Sequence, residues 1–412
     1  MRRQLLALDA ARFGERELSA RITALPVAGE PAARWSVDWA TGSGVDQRFR
    51  HAVTSHDGRV LAEGTGVVNG RTGAAGCGTD GTLPLWDPVT GQQVGEPFAS
   101  RDDGCCSVAT AVVDGRAIAV TGGDDAMVRV RDLATGEQIG RILTGHHSGV
   151  GALATATVDG RTHAVTAGTE DEVLRVWDLA TGQQVGAPLT GHTGWVGAVA
   201  ATVLNGRPHA VTGGCDGTVR LWDLATGQQV GGPLVGHGGA VRAVATTVLE
   251  GCAVAVTGSR DTTVRLWDLA SGQQVGKPLT GHADAVWAVA TTVADGRAIA
   301  VTGGDDEMVR VWDLAAGGEA GRALIGHTGR VCAVATTVVD GRTLAVSGSE
   351  DQTVRVWDLA TRQQVGPPLV FPLPVNAVGV GVGAGVGVGV GVAPGGRLVV
   401  GFGAEVTVLS GR

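Results

Sequence analysis

Residues 189–230 read LTGHTGWVGAVAATVLNGRPHAVTGGCDGTVRLWDLATGQQV, and the pattern of these residues predicts the fold. Small and β-branched residues fill positions 196–203 and lead into the turn Asn205-Gly206, which predicts a buried strand that enters a hairpin. Residues 209–212, the alternating run 218–222 and residues 228–234 are predicted to form the second, third and outer strands. Four short strands cannot bury both of their faces alone, so such units must pack sheet against sheet around an axis.

The same unit recurs along the chain. A Trp-Asp pair returns every 45 or 46 residues, apart from one place where Arg131-Asp132 stands instead. A period of this length indicates a modular repeat in which each unit is one small sheet. The pairs are Trp86-Asp87, Trp177-Asp178, Trp222-Asp223, Trp267-Asp268, Trp312-Asp313 and Trp357-Asp358.

The units carry Gly-His near their start, an Asp in the turn between the second and third strands, and Trp-Asp at the end of the third strand. In these features the chain resembles the WD-repeat β-propeller family over about residues 46–409. The resemblance implies an all-β propeller of four-stranded antiparallel blades.

In that family the His, the Ser or Thr, the Asp and the Trp of one repeat form a buried hydrogen-bond network. The same residue types would also suit a nucleophilic triad, but an active site is not built five times, whereas every buried polar group needs a partner. We therefore expect a structural role. The positions carried over are His146, Thr166, Asp171 and Trp177; His192, Thr212, Asp216 and Trp222; His237, Thr257, Asp261 and Trp267; His282, Thr302, Asp306 and Trp312; His327, Ser347, Asp351 and Trp357.

Two earlier repeats depart from this pattern. The first has Gly76 where the hydroxyl belongs, and the second has Arg101 in place of His and Arg131 in place of Trp. Sequence drift explains both arginines, since each is one base from the expected residue in GC-rich codons. The functional alternative is an ion pair between Arg131 and Asp125 that makes this blade softer.

The sequence predicts eight blades, with seven as the alternative. Residues 375–378, 397–402 and 405–409 resemble the inner strands of an eroded unit, and residues 47–53 are placed as its outer strand, so that both termini close the ring. Residues 46–412 are then the propeller, and residues 1–45 are a leader with a short amino-terminal helix. That helix either packs against the ring or belongs to an upstream domain. The uncharged Val-Gly run at 375–393 predicts a strand or loop rather than a membrane span.

Composition narrows the class of partner. The net charge of −8 provides no basic footprint for nucleic acid, and the near-exclusive use of arginine over lysine is typical of a GC-rich bacterial gene. Six cysteines without a C-x-x-C pair predict a reduced, cytoplasmic protein. Phosphate-binding, serine-nucleophile and zinc motifs are absent from the sequence, so we expect no cofactor, metal or catalytic residue.

The repeats are nearly identical, so their differences point to a site. The variable positions lie three and five residues after the Gly-His histidine and immediately before the turn Asp; in the family they surround one mouth of the propeller and contact ligands. Trp195 and Trp287 are large aromatics at such positions and predict interface hot spots. The alternative is that they are partly buried packing residues on a solvated rim. The candidate partner-binding residues are Trp195, Trp287, Arg242, Arg260, Arg330, Asp305 and Glu350.

These observations favour a non-catalytic scaffold, a monomeric ring that presents one face to a protein or peptide partner, without nucleic acid or membrane. The alternative is a small-molecule sensor or an enzyme that uses the central channel.

Overall fold

The computed structural model describes residues 35–40, 63–68, 71–76, 82–83, 85–86, 98–99, 105–132, 135, 137–339, 342–370, 375, 377–379, 392–393, 397–402 and 405–411. All regular structure in these residues is β-strand, as the sequence predicts. Within them, no helix is long and apolar enough to cross a membrane. The predicted amino-terminal helix lies outside the described residues.

Six strands precede the regular repeats. β2, β3 and β5 form sheet I, and β4 pairs with β6. The six are β1 (Trp35–Ala40), β2 (Glu63–Val68), β3 (Arg71–Gly76), β4 (Thr82–Leu83), β5 (Leu85–Trp86) and β6 (Phe98–Ala99).

Six sheets follow, each antiparallel and each with its first four strands in chain order; in three of them a short fifth strand pairs with the third. Sheet II contains β7 (Cys105–Val113), β8 (Arg116–Gly123), β9 (Met127–Asp132) and β10 (Leu143–Thr144). Sheet III contains β11 (Val150–Val158), β12 (Arg161–Gly168), β13 (Val173–Asp178), β14 (Gln183–Gln184) and β15 (Leu189–Thr190). Sheet IV contains β16 (Val196–Leu204), β17 (Arg207–Gly214), β18 (Thr218–Asp223), β19 (Gln228–Gln229) and β20 (Leu234–Val235).

The next three sheets repeat this plan. Sheet V contains β21 (Val241–Leu249), β22 (Cys252–Ser259), β23 (Val264–Asp268) and β24 (Gln273–Leu279). Sheet VI contains β25 (Val286–Ala294), β26 (Arg297–Gly304), β27 (Val309–Asp313) and β28 (Gly318–Glu319). Sheet VII contains β29 (Val331–Val339), β30 (Arg342–Ser349), β31 (Thr353–Asp358), β32 (Gln363–Gln364) and β33 (Leu369–Val370).

Sheet VIII joins the two ends of the chain. Its strands are β34 (Ala377–Gly379), β35 (Val392–Ala393), β36 (Arg397–Phe402) and β37 (Glu405–Gly411), and β1 pairs with β37 at the outer edge. The three inner strands fall where the sequence placed them. The outer strand is Trp35–Ala40 rather than the predicted 47–53, which lies outside the described residues, so the sheet uses a segment assigned to the leader.

Apolar side chains between neighbouring sheets form the core. Val211 and Leu221 of sheet IV pack in one cluster with Val244 and Trp267 of sheet V. Trp267 is 2% exposed, because its indole belongs to one sheet and fills the space against the preceding one. The Trp of Trp-Asp is therefore an inter-sheet core residue, and the 45-residue period is the spacing of these interfaces.

The first strands of successive sheets lie side by side. Threonine hydroxyls in three of them donate to the carbonyl 45 residues earlier: Thr246 to Ala201 (3.3 Å), Thr291 to Thr246 (3.0 Å) and Thr336 to Thr291 (3.3 Å). The contacts run from β2 through β7, β11, β16, β21, β25 and β29 to β34, and β34 also lies against β2.

The first strands of sheets II to VII each contain a β-bulge next to the first residue. In sheet VI, Val286 pairs with Gly304 and Ala288 pairs with Gly303, which leaves Trp287 as the extra residue. The same shift leaves out Arg242 in sheet V and Gly197 in sheet IV. A bulge redirects a side chain away from the regular alternation, so the residue five positions after each Gly-His histidine is free to vary without disturbing the core.

Candidate functional site: a tryptophan–arginine rim

The seven rim candidates lie at one edge of sheets IV to VII. Trp195 and Arg330 directly precede the first strands of sheets IV and VII. Arg242 and Trp287 are the bulged residues in the first strands of sheets V and VI. The other three candidates directly follow second strands. First and second strands are antiparallel, so the beginning of one and the end of the other share an edge. The residues that follow second strands are Arg260, Asp305 and Glu350.

Four of these side chains form an alternating stack. The guanidinium carbon of Arg242 lies 4.4 Å from the ring centroid of Trp195 and 4.9 Å from that of Trp287. On the other side of Trp287, Arg330 lies 4.6 Å from the same centroid. These distances are within the range of cation–π attraction. The order Trp195–Arg242–Trp287–Arg330, which we name the rim ladder, places one residue on each of four consecutive sheets.

Asp305 fixes one end of the rim ladder. Its carboxylate accepts a 2.7 Å hydrogen bond from the Trp287 indole N–H and also binds Arg330 Nε. A guanidinium nitrogen of Arg330 lies 3.6 Å from Glu350 Oε1. Burial alone would lower the pKa of Arg330, but the charges of Asp305 and Glu350 raise it. This end of the ladder is an ion-pair cluster that orients Trp287.

The other end carries different chemistry. Trp195 is half-buried, and a Cβ added to Gly197 would come within 3.3 Å of its ring, so the glycine lets the indole lie close to the strand. Cys215 follows the second strand here, and its backbone N–H bonds the carbonyl of Trp195. Burial raises the pKa of the Cys215 thiol despite the charges of Arg242 and Arg260. Arg260 is the exposed arginine of the group.

The five His-hydroxyl-Asp-Trp sets adopt one common geometry. In sheet V, Asp261 Oδ2 lies 2.9 Å from His237 Nδ1, Thr257 Oγ1 lies 2.8 Å from His237 Nε2, and the Trp267 indole N–H donates to the same hydroxyl over 2.9 Å. The corresponding distances in the other four sheets are 2.7–3.1 Å. All five histidine side chains are 0% exposed.

Burial determines the direction of these hydrogen bonds. Burial is the main cause that lowers the pKa of His146, His192 and His237, against the opposing effect of the Asp partner. A neutral imidazole has one donor and one acceptor nitrogen. Because an ionised carboxylate only accepts, Nδ1–H donates to Asp, and Nε2 accepts from the Thr hydroxyl, which in turn accepts the indole N–H. Every polar group in the set then has a partner.

Three of the turn aspartates, Asp216, Asp261 and Asp306, are held as carboxylates. Burial alone would raise the pKa of Asp261, but hydrogen bonds from Thr263 and from the Gly238 N–H, together with His237, lower it to about 2. The pKa of Asp216 and that of Asp306 are lowered in the same way, against burial. Each carboxylate thus closes the turn after the second strand as well as the His network.

A further repeated pair was missed in the sequence. In sheets III to VII the arginine two residues before the Trp of Trp-Asp donates to a fourth-strand side chain, and a Cβ on the Gly of Gly-His would meet it, at 2.8 Å for Gly191 against Arg220. The Gly leaves room for this close approach. The recurring Val/Leu-Arg-Val/Leu-Trp with a polar residue nine positions after the Arg was the available signal. The pairs are Arg175–Gln184, Arg220–Gln229, Arg265–Gln274, Arg310–Glu319 and Arg355–Gln364.

Sheet II shows how a degenerate repeat is accommodated. The sequence alternative is a pair between Arg131 and Asp125; in the structure Arg129 binds Asp125, at 3.1 and 2.5 Å. In the other repeats the arginine at this position donates to the fourth strand. Here Arg129 binds Asp125, because this repeat has no histidine in its sequence to pair with that carboxylate. Burial and the charge of Arg129 lower the pKa of Arg131 to about 10.

Metal ligands are not clustered in the part of the chain that the structure describes: no group of three His, Cys, Asp or Glu side chains there could hold an ion.

Comparison with known proteins identifies the family. The family model described as WD40, "WD domain, G-beta repeat", matches residues 137–178, 182–223, 228–268, 272–313 and 318–358, just over half of the 412 residues. No curated protein matches the chain. A crystal structure of the computationally designed Ika8 protein is 27% identical, with a TM-score of 0.66, and the match covers 85% of this chain and 97% of that one. With the repeated sheets and their Trp-Asp interfaces, these matches establish that the chain belongs to the WD40-repeat family of β-propellers.

Proposed function

We propose that this protein is a non-catalytic interaction scaffold that binds a protein or peptide partner at the rim ladder. The observation that carries the proposal is the alternating stack Trp195–Arg242–Trp287–Arg330. Half-buried aromatics with ordered arginines resemble binding hot spots, where rigid side chains lose little entropy on association. Four consecutive sheets each supply one member, so the surface is preformed.

The charges of the rim favour an acidic partner. Asp305 and Glu350 already offset the charge of Arg330, whereas Arg260 is exposed and lies close enough to Cys215 for its charge to act on the thiol. A carboxylate of the partner could pair with Arg260 while an apolar neighbour covers the exposed part of Trp195. The partner we propose is therefore a peptide segment that combines an acidic and an apolar side chain.

Two features support binding rather than catalysis. The five hydroxyl-His-Asp sets have fully buried imidazoles, which a substrate cannot reach. Burial raises the pKa of the Cys215 thiol, which reduces the thiolate fraction needed for nucleophilic attack.

The direct test is affinity purification of the intact protein beside a Trp195→Ala/Trp287→Ala variant. A Val235→Ala/Ile325→Ala variant is the matched control, because these side chains are 71% and 72% exposed and lie outside the rim. We expect the rim variant to lose partners that the wild type and the control retain. Recovery of every partner by a folded rim variant would refute the proposal.

The acidic nature of the partner has its own test. Arg260→Glu should weaken capture and remove much of its salt dependence, because charge attraction across an exposed interface is screened by salt. Arg322→Glu changes an exposed arginine outside the rim and should have no effect. Equal loss in both variants would point to net charge rather than to this site.

We further propose a ring of eight blades whose domain begins at Trp35. Support comes from the run of contacts between first strands, from β2 to β34 and back to β2, and from the pairing of β1 with β37. The cytoplasmic location stays a prediction.

A further inference from the structure

The opposite end of the first strands carries a ring of exposed valines. Five of the nine large apolar side chains that are most exposed in the described residues occupy one repeat position, two residues before the hairpin that joins the first and second strands. We name them the valine ring: Val112, Val203, Val248, Val293 and Val338, between 54% and 64% exposed. The sixth described repeat has the exposed Thr157 there.

The valine ring forms one surface. Each valine from Val248 to Val338 lies two residues beyond a threonine whose hydroxyl bonds the preceding first strand, so neighbouring strands are held together just before the ring. Residues two apart on a strand face the same side. An apolar surface made of several neighbouring elements marks an interaction site more reliably than scattered apolar residues do.

Strand propensity alone does not account for these valines. Threonine is also β-branched and favours strands, and it stands at the equivalent position 157 and at the preceding positions 246 and 247. A solvated position would be filled as well or better by threonine. The repeated choice of valine therefore points to burial against something else.

The hairpins around the valine ring carry both signs of charge. In three of these hairpins an exposed acid is followed two residues later by an exposed arginine: Asp114 and Arg116, Asp159 and Arg161, and Asp295 and Arg297.

The first residue of these turns has a positive φ, and this geometry explains why Asp or Asn stands there. It does not explain the glutamate at Glu250, which adopts φ 51° at the same turn position. Because three of the hairpins carry both signs, a second copy of this surface can oppose these charges with their opposites, as the self-complementarity of a two-fold interface requires.

We infer that two copies of the chain associate face to face through the valine ring and its Asp/Arg hairpins. This departs from the monomeric ring expected from the sequence. It is also independent of partner binding, since the rim ladder lies at the other end of the first strands and remains accessible in such a dimer.

The test is sedimentation velocity of the full chain over a wide range of concentration. Val203→Thr/Val248→Thr/Val293→Thr/Val338→Thr keeps β-branching and copies the residue found at position 157, so it should fold and raise the dimer dissociation constant at least about tenfold. Val235→Thr/Ile325→Thr, equally exposed elsewhere, should leave dimerisation unchanged. A wild type that stays monomeric throughout, or a threonine variant that dimerises as well as the wild type, overturns the inference.

A second pair of variants tests the charges and keeps the inference falsifiable if the threonine variant does not fold. Asp114→Asn/Asp159→Asn/Asp295→Asn retains the turn, and Arg116→Gln/Arg161→Gln/Arg297→Gln removes the opposite sign from the same hairpins. Each should dimerise poorly alone, and their mixture should form heterodimers. Failure of the mixture to exceed either variant alone would exclude a self-complementary charged face.

Discussion

At the scale of single residues, the chain separates two kinds of tryptophan. Trp267 is buried against the preceding sheet and gives its N–H to Thr257. Trp195 and Trp287 are half-buried and stack on arginines at the edge of the sheets. Residues that repeat identically fill the core, whereas residues that break the repeat occupy bulged or terminal positions where the core does not restrict them.

Thr257→Val tests the buried network. It removes one hydroxyl without changing side-chain shape, and leaves both the Trp267 N–H and the His237 Nε2 without a partner. Each buried unsatisfied group costs about 1–3 kcal/mol, so we expect a loss of roughly 2–4 kcal/mol in the free energy of unfolding. Ser347→Thr, which keeps a hydroxyl, is the control. An unchanged denaturation midpoint for Thr257→Val would contradict the assigned hydrogen bonds.

The same network predicts how stability depends on pH. The histidines with lowered pKa are neutral when folded, while an unfolded histidine titrates near 6.5, so the unfolded chain binds more protons and stability falls as the pH drops below about 6.5. Asp216, Asp261 and Asp306 have lowered pKa values, so they stabilise the fold above the unfolded pKa near 4. Their contribution is lost below it.

Denaturant unfolding between pH 8 and pH 3 measures this dependence. A His192→Gln/His237→Gln variant should lose part of the slope between pH 7 and pH 5 and keep the steeper loss below pH 4. Stability that rises as the pH falls from 7 to 5 would contradict the neutral-imidazole assignment.

At the scale of strands and sheets, the sequence predicted strands correctly wherever the local pattern of side chains was that of a strand or a turn. Alternation along residues 218–222 and the turn Asn205-Gly206 placed strands correctly, since apolar alternation and positive φ are local properties. The bulge at Trp287 and the stack on Arg242 and Arg330 depend on the pairing of separate strands. No local signal reports such pairing, and so the sequence located the rim residues without showing their contacts.

The predicted outer strand of sheet VIII differs from the one in the structure for a related reason. Residues 47–53 were selected because Asp38-Trp-Ala-Thr-Gly42 resembles the turn after Trp-Asp, whereas Trp35–Ala40 itself pairs with Glu405–Gly411. An edge strand makes few side-chain demands, so sequence similarity over five residues does not fix its register.

A double-mutant cycle tests whether the rim ladder couples adjacent sheets. Arg242→Leu, Trp287→Leu and the double variant should give a coupling energy of about 0.5–2 kcal/mol in unfolding, since a partly desolvated cation over an indole contributes that much. Arg260→Leu with Trp287→Leu is the control pair and should be additive. Additive effects in the Arg242–Trp287 cycle would mean that the stack contributes nothing.

At the scale of the whole molecule, the two ends of the chain meet in sheet VIII. Pairing of β1 with β37 protects strand edges that would otherwise be exposed, and the contacts of β34 with both β29 and β2 connect the last repeats to the first. Stability should then be shared between the termini and the internal repeats.

Removal of residues 397–412 tests this closure. The truncation deletes β36 and β37, leaves β1 without its partner and exposes the neighbouring sheets, so we expect a lower unfolding midpoint and a less cooperative transition. Deleting residues 1–34, which precede β1, leaves both β1 and β37 in the chain and is the comparison. A truncated chain that unfolds like the intact one would show that the ring does not depend on terminal pairing.

We propose that the repeated residues hold the propeller and that the residues that break the pattern bind the partner. The most direct test is to capture partners from lysate with the wild type, Trp195→Ala/Trp287→Ala and Thr257→Val, at a temperature below all three melting transitions. We expect the rim variant to lose capture while remaining folded, and Thr257→Val to melt earlier but capture normally. Normal capture by the folded rim variant, or loss of capture by folded Thr257→Val alone, would contradict it.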